Sequence, residues 1–349
     1  MENSFVHPYM PNSVTENKKA MLDELGINSV EDIYKSIIPD ELLYKERLDI
    51  PEPIRSEYEL KRHVMGILNR DITTEEYTSF LGAGCYKHQV PAICDEINSR
   101  GEFLTAYCGD TYSDHGKMQA IFEYTSMMGE LLDTDVVSYT TYDGGQAVAS
   151  SLRMAVRAVR EKGMAGKVIL VPKTMNPEIY SQVVQYCRNV AEVRKIAYEP
   201  ETGLMDLEEL KEQLAKKNVA AVFFENPTYL GNFETRGEEI AKLAHDAGAY
   251  CVVQTEVAAL GIMESPVNQG ADIVCGDIQP LGMHIQFGGG QAGFIACNQN
   301  MDLVEQFPTY MYGITETEKE DTYGWGRAMN YRSSHGSREN AKEYFGTET

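Results

Sequence analysis

From Lys167 onward the chain alternates two hydrophobic patterns. Short, nearly continuous apolar runs recur at KVILVP (Lys167 to Pro172), EVRKIAYE (Glu192 to Glu199) and VAAVFFEN (Val219 to Asn226). Three more follow at AYCVVQTE (Ala249 to Glu256), ADIVCGD (Ala271 to Asp277) and the end of GGGQAGFIAC (Gly288 to Cys297). Between them lie NPEIYSQVVQYCRNV, DLEELKEQLAKKN and RGEEIAKLAHDAG, in which apolar residues fall three and four apart. An apolar run bounded by turn residues reads as a strand covered on both faces, and the wider spacing reads as an amphipathic helix. Their alternation predicts an α/β fold, a mostly parallel sheet with helices on both faces.

The first 75 residues carry a different pattern, polar and helical without strand runs, and are expected to form a helical N-terminal arm. SVTE (Ser13 to Glu16) has the spacing of a capping box before NKKAMLDELG, which Gly26 would end. NSVEDIYKSI and SEYELKRHVMGILNR read as further helices, and TTEE (Thr73 to Glu76) as the start of another. The large α/β domain is expected over 76–300.

Composition narrows the function classes. With 53 acidic against 31 basic residues the formal charge is −22, which opposes nucleic acid and anionic membrane surfaces as partners. No apolar run approaches the ~18 residues of a membrane span, and no secretory leader pattern opens the chain. The seven cysteines are odd in number and include no C-x-x-C, as expected of a cytoplasmic protein rather than a disulfide framework. Cys85, His88, Cys108 and His115 do not have the spacing of a zinc site, so no metal is expected.

In a parallel sheet, ligands sit beyond the carboxyl ends of the strands. That directs attention to the loops after Asn226, Thr255 and Gly276. TYDGGQAVASSLRMAVRAVR opens a long helix with Gly144 and Gly145, a start that suits either a bound phosphate or a plain turn. ENPTYLGNFE is either a ligand loop or a tight crossover. Glu256, at a strand end, suits either a bond to a protonated pyridine nitrogen or a helix cap. Tyr86, His88 and Tyr107 stand in loops rich in Tyr, His and Asp, a composition common around binding sites. The segment GDIQPLGMHIQFGGG (Gly276 to Gly290) has the shape of the lysine loop of pyridoxal enzymes. Yet no lysine occurs between Lys242 and Lys319. A lysine elsewhere, such as Lys173, would be needed for an independent pyridoxal enzyme. Neither a Gly-x-Ser-x-Gly elbow nor a P-loop is present, and GGGQAG precedes a strand, the wrong context for a dinucleotide fingerprint.

Taken in order, PYMPNS, SFLGAGCYKHQVPAI, FLTAYCGDTYSDHGKMQAIFEYTSMM, YDGGQAVA, ENPTYLGNFE, VVQTEVAALGI and GADIVCGDIQPLGMHIQFGGGQAGFIA resemble the glycine cleavage system P-protein family. The match is to subunit 1, the alpha subunit of its two-chain form, and runs from about Pro8 to about Lys342. The resemblance implies the pyridoxal-phosphate-dependent aminotransferase type I fold and glycine decarboxylation with aminomethyl transfer to the lipoyl H-protein. It implies a heterotetramer in which a lysine-bearing beta subunit holds pyridoxal 5'-phosphate covalently. In this chain it places Leu281 near the lysine position, so no catalytic residue is expected here. Gly144, Gly145 and Glu256 become remnants of a degenerate cofactor site, and Tyr86, His88 and Tyr107 line the substrate channel.

Two stretches depart from the family pattern: Cys108 to His115, and RSSHGSRENAKEY (Arg332 to Tyr344). Residues 301–349 read as the start of a C-terminal domain, apparently truncated. The departures admit an alternative, a non-catalytic scaffold or regulatory paralogue of the same subunit.

Overall fold

The computed structural model describes residues 6–44, 46, 48–80, 87–101, 117–285, 290–308 and 311–328. It divides into two compact units, Met1–Thr73 and Thr74–Thr349.

The first unit contains α1 (Thr15–Leu25), α2 (Val30–Lys35) and α3 (Glu57–Leu68). None of its described residues is buried. Gly26 ends α1 in the left-handed region, at φ 68°, where glycine carries no Cβ penalty. Ser13 does not cap α1. Its hydroxyl donates to the Met10 carbonyl at 2.7 Å, closing a preceding 3-10 turn, and Val14 takes the cap position. The capping box forms at α2 instead, between Ser29 and Asp32. Ser56 caps α3 by accepting from the Glu59 N–H.

In the second unit, TTEE is a turn and not a helix start. Four acceptor-rich polar residues with no apolar periodicity behind them have no face to bury. The elements that follow are α4 (Ala92–Asn98), α5 (Lys117–Leu132), β1 (Val136–Val137), α6 (Gly144–Glu161), β2 (Val168–Pro172), α7 (Pro177–Cys187) and β3 (Glu192–Ile196). Then come α8 (Leu207–Leu214), β4 (Val219–Asn226), α9 (Gly237–Asp246), β5 (Tyr250–Thr255), β6 (Ile273–Asp277), β7 (Gly293–Cys297) and α10 (Met301–Val304). A hairpin of β8 (Met311–Glu316) and β9 (Tyr323–Ala328) ends the described chain.

Seven strands form one sheet in the order β1-β7-β6-β5-β4-β2-β3. The pairs β2–β3, β2–β4, β4–β5 and β5–β6 are parallel, while β7 runs antiparallel to both β6 and β1. The fold is therefore the mostly parallel α/β sheet expected, with one reversed strand at its β1 edge. Strand alternation divides the core between two faces. Ile169, Val171, Ala221, Phe223, Val252, Ile273 and Cys275 pack with α6 and α7 on one face. Their neighbours Val168, Leu170, Val222, Phe224, Cys251, Val253 and Val274 pack on the other, with Met128 and Leu132 of α5, Leu210 of α8 and Ile240 of α9. Both faces being dry explains the near-continuous apolar strands.

Helix α6 is the central element of its layer, and fourteen of its residues are buried, from Gly144 to Val159. Asp143 caps it, accepting from the Gln146 N–H at 2.6 Å. Arg153 and Arg157 anchor it by donating to the carbonyls of Tyr186 and Gln306. Among the described residues no helix is long and apolar enough to cross a membrane.

Phe223 lies at the centre of the sheet, fully buried. We expect Phe223→Ala to cost about 3–5 kcal/mol in urea unfolding. A loss below about 1 kcal/mol would mean that this layer is not packed as described.

Candidate functional site

A cavity of about 140 Å³ opens at the carboxyl ends of the parallel strands. It lies beside the point where the strand order reverses between β2 and β4, the general ligand position of such sheets. Its walls are the start of α6, the start of α7, and the loops after β4, β5 and β6.

The start of α6 is the most constrained part. A helix N-terminus leaves its first N–H groups without helical acceptors, and the helix dipole favours negative charge there. The Gly144 N–H donates to Asp277 Oδ2 at 3.1 Å, while Asp277 Oδ1 accepts from the Gln279 N–H at 2.7 Å. The Gln146 N–H goes to the Asp143 carboxylate and the Ala147 N–H to the Asp143 carbonyl. Gly144 is tightly packed: a Cβ would stand 3.1 Å from both the Asp277 Cβ and its backbone nitrogen, so the neighbour would have to give by a few tenths of an ångström. Gly145 is covered by Gln182 of α7, whose amide a Cβ would overlap.

The next wall is built on Glu225, 5% exposed at the penultimate position of β4. Its carboxylate accepts from the Asn176 N–H at 3.1 and 3.2 Å, which ties β4 to the start of α7. Burial raises its pKa to about 7, and backbone hydrogen bonds from Asn176 and Tyr229 oppose that rise without cancelling it. Glu256 follows β5 and caps a short 3-10 turn, accepting from the Ala259 N–H with one oxygen at 3.0 Å. Its other oxygen has no hydrogen-bond partner among the described residues. Burial raises the pKa of both Glu256 and Asp277, and the Asp143 and Glu256 charges raise Asp277 further.

The lining thus holds five carboxylates, from Asp143, Glu178, Glu225, Glu256 and Asp277, and no lysine or arginine among the described residues. No group of three or more His, Cys, Asp or Glu among the described residues is arranged to hold a metal ion.

The structure brings Gly144, Gly145 and Glu256 together on this cavity. Leu281 is half-exposed on the 3-10 turn Gln279–Leu281, next to the lining residue Pro280. His88 sits on the chain before α4, its Nε2 2.6 Å from the Met283 carbonyl. The same stretch is clasped again by Asp95 of α4, which pairs with His284 at 2.9 Å. Tyr86 and Tyr107, like Cys85, Cys108 and His115, lie outside the described residues. Lys173 is exposed after β2 and is not part of the lining. Sequence reasoning missed Asp277, Glu225 and Gln182. A carboxylate ending an apolar strand is a readable signal for the first two, but their partners are 133 and 49 residues away.

Pyridoxal phosphate, the cofactor that the resemblance implies, does not fit this cavity. Its aldehyde would find no amine, since no lysine is among the described lining residues. Its phosphate would meet an N-terminus whose Gly144 N–H already serves Asp277, with Asp143 beside it and no cation to offset the charge. The unpartnered Glu256 oxygen would suit a pyridine N–H, but it addresses only one end of the molecule.

Residues 7–348 match the glycine cleavage system P-protein family. A protein of Staphylothermus marinus described as a probable glycine dehydrogenase (decarboxylating) subunit 1 is 35% identical over 322 residues, covering 89% of this chain and 66% of that one. Proteins of the same description from Pyrococcus horikoshii and Carboxydothermus hydrogenoformans are 38% and 37% identical, and the match covers 67% and 72% of their lengths. The chain thus spans about two thirds of these curated relatives. Among solved structures, an inhibitor-bound glycine decarboxylase (P-protein) of the glycine cleavage system superposes with TM-score 0.78 at 30% identity, over 99% of this chain and 74% of that one. A sphingosine-1-phosphate lyase from Burkholderia pseudomallei shares the fold at 13% identity and TM-score 0.53.

The buried acid gives the cavity a pH signature. The folded chain binds the Glu225 proton below about 7, the unfolded chain only below about 4.5. Between these values the folded state carries more protons, so this contribution to stability falls as pH rises. Removing the charge with Glu225→Gln should flatten that slope. Relative to wild type, E225Q should be more stable at about pH 8 than at about pH 5, by on the order of 3 kcal/mol. Urea unfolding of both proteins across this range measures it, and a pH-independent difference would show that Glu225 titrates normally.

Proposed function

Because the chain belongs to the glycine cleavage system P-protein family and has its aminotransferase type I fold, we propose that it is the lysine-free subunit of a glycine decarboxylase. In this reading it works only with a lysine-bearing beta subunit. Together they decarboxylate glycine and pass the aminomethyl group to the lipoyl arm of the H-protein. The observation that carries the reading is the segment Gly276 to Gly290 after β6, which has the shape of a lysine loop and contains no lysine. The name of its relatives, subunit 1, supports a second chain.

On this proposal pyridoxal phosphate belongs to the partner, where it supplies the electron sink for loss of carbon dioxide. This chain's share is to shape the surroundings. His88 holds the segment at Met283 and helps fix the loop that replaces the lysine loop. Tyr86, His88 and Tyr107 are proposed to line the substrate path, and excluding water there would strengthen the polar contacts to glycine. The acidic surface of a chain with formal charge −22 suits protein and small-molecule partners rather than nucleic acid.

Reconstitution tests this. The chain alone, incubated with pyridoxal phosphate and reduced with borohydride, should give no stoichiometric lysine adduct and no glycine-dependent carbon dioxide exchange. Mixed with a lysine-bearing beta subunit and H-protein, it should restore exchange. A stoichiometric adduct on this chain would overturn the lysine-free assignment. A stable complex without exchange would make the chain a scaffold instead.

A further inference from the structure

We propose that Asp277 is a built-in anion that occupies the phosphate seat of this chain's cavity, so that the cavity rejects phosphate-bearing ligands even when they bind without a covalent bond. The family reading supplies only the identity of the excluded ligand, pyridoxal phosphate. The exclusion itself rests on geometry.

Four observations point the same way. The cavity lies where α/β sheets bind ligands, with the amino end of a long buried helix aimed into it. In such a place a phosphate takes its strength from the free N–H groups of the first turn. Here Asp277 reaches across from the end of β6 and takes the Gly144 N–H. Its second oxygen is fixed by the Gln279 N–H, so the carboxylate is held from both sides and cannot swing away without breaking two bonds. The Gln146 N–H is claimed by the Asp143 carboxylate, the Ala147 N–H makes the first regular helical bond to the Asp143 carbonyl, and the Gln182 amide packs where a Gly145 side chain would be. A phosphate would therefore have to displace hydrogen bonds already made.

It would also have to approach a lining of carboxyl groups. Asp143 and Asp277 flank the seat, and Glu178, Glu225 and Glu256 complete the lining, with no lysine or arginine among the described residues there. Like charges at short range in a partly buried site repel far more strongly than in water. Losing the lysine would remove only the covalent tether. The carboxylate at the helix start closes the other end of the site, and the two barriers are independent.

The test uses the full chain and two ligands without an aldehyde, 4-deoxypyridoxine 5'-phosphate and inorganic phosphate, followed by isothermal titration. Wild type should show no saturable binding at about 1 mM of either. Asp277→Ala frees the Gly144 N–H and removes the charge, and should raise affinity for both by on the order of ten- to a hundredfold. Circular dichroism checks its fold. Should D277A not fold, Asp277→Asn, which keeps the shape and the Gln279 bond, is read in its place, with a gain of at least about tenfold expected. Micromolar binding of the deoxypyridoxine phosphate to wild type, competed by inorganic phosphate, would overturn the proposal. So would the absence of any gain in the folded variant. Neither result touches the lysine-free reading, which stands or falls on covalent capture.

Discussion

A carboxylate placed at the start of a buried helix organises the middle of this molecule. Helix α6 is enclosed along most of its length, and the first-turn N–H groups of Gly144 and Gln146 find carboxylate acceptors inside the chain. Asp143 provides one from its own cap, and Asp277 provides the other from the neighbouring strand end. That last bond ties α6 to β6 across 133 residues of sequence and sets how closely the helix approaches the sheet. Gly144 suits it, because a Cβ there would press within 3.1 Å of the Asp277 backbone.

The same arrangement sets the electrostatics of the cavity. Three of the acids in the wall join or cap elements of the fold. Glu225 joins β4 to the start of α7, Glu256 caps the turn after β5, and Asp277 joins β6 to α6. Their charges are stabilised mainly by backbone N–H groups, with no lysine or arginine in the described lining. Backbone dipoles offset only part of the cost of burial, so the acids remain harder to ionise than in water. A cavity assembled this way is held together by acceptors and presents them inward. It is suited to donors and cations and opposed to dianions, the reverse of a phosphate-binding pocket.

Much of the fold was legible because both faces of the sheet are buried. Continuous apolar strands and three-four spaced helices identify β2 to β6 and α7 to α9 with boundaries close to those observed, VAAVFFEN from end to end. What such runs do not encode is direction: β7 is as apolar as its neighbours yet antiparallel to β6. Local capping was legible only where no competitor intervened. Asp206 caps α8 as its spacing requires, whereas the Ser13 hydroxyl found the Met10 carbonyl first. Around the cavity, the glycines, Glu256 and the missing lysine could be read directly. Asp277 was within the very segment that drew attention, but its meaning lies in a partner that only the folded chain brings near.

Loss of a catalytic lysine changes one end of a cofactor site and leaves the rest able to hold its ligand reversibly. A subunit that must leave the cofactor to another chain gains from closing the other end as well, since a reversibly filled cavity would withdraw ligand in proportion to its affinity. The phosphate end is the effective place to close, because a buried helix start needs an anion for its own stability. A side-chain carboxylate satisfies that need permanently and at fixed geometry, with no ordering of a free ligand to offset. The substitution therefore serves folding and selectivity through one bond. The two glycines here are packed closely by Asp277 and Gln182 against the helix start. A Gly-Gly helix opening can thus persist in sequence after the ligand it suggests has been replaced by the protein itself.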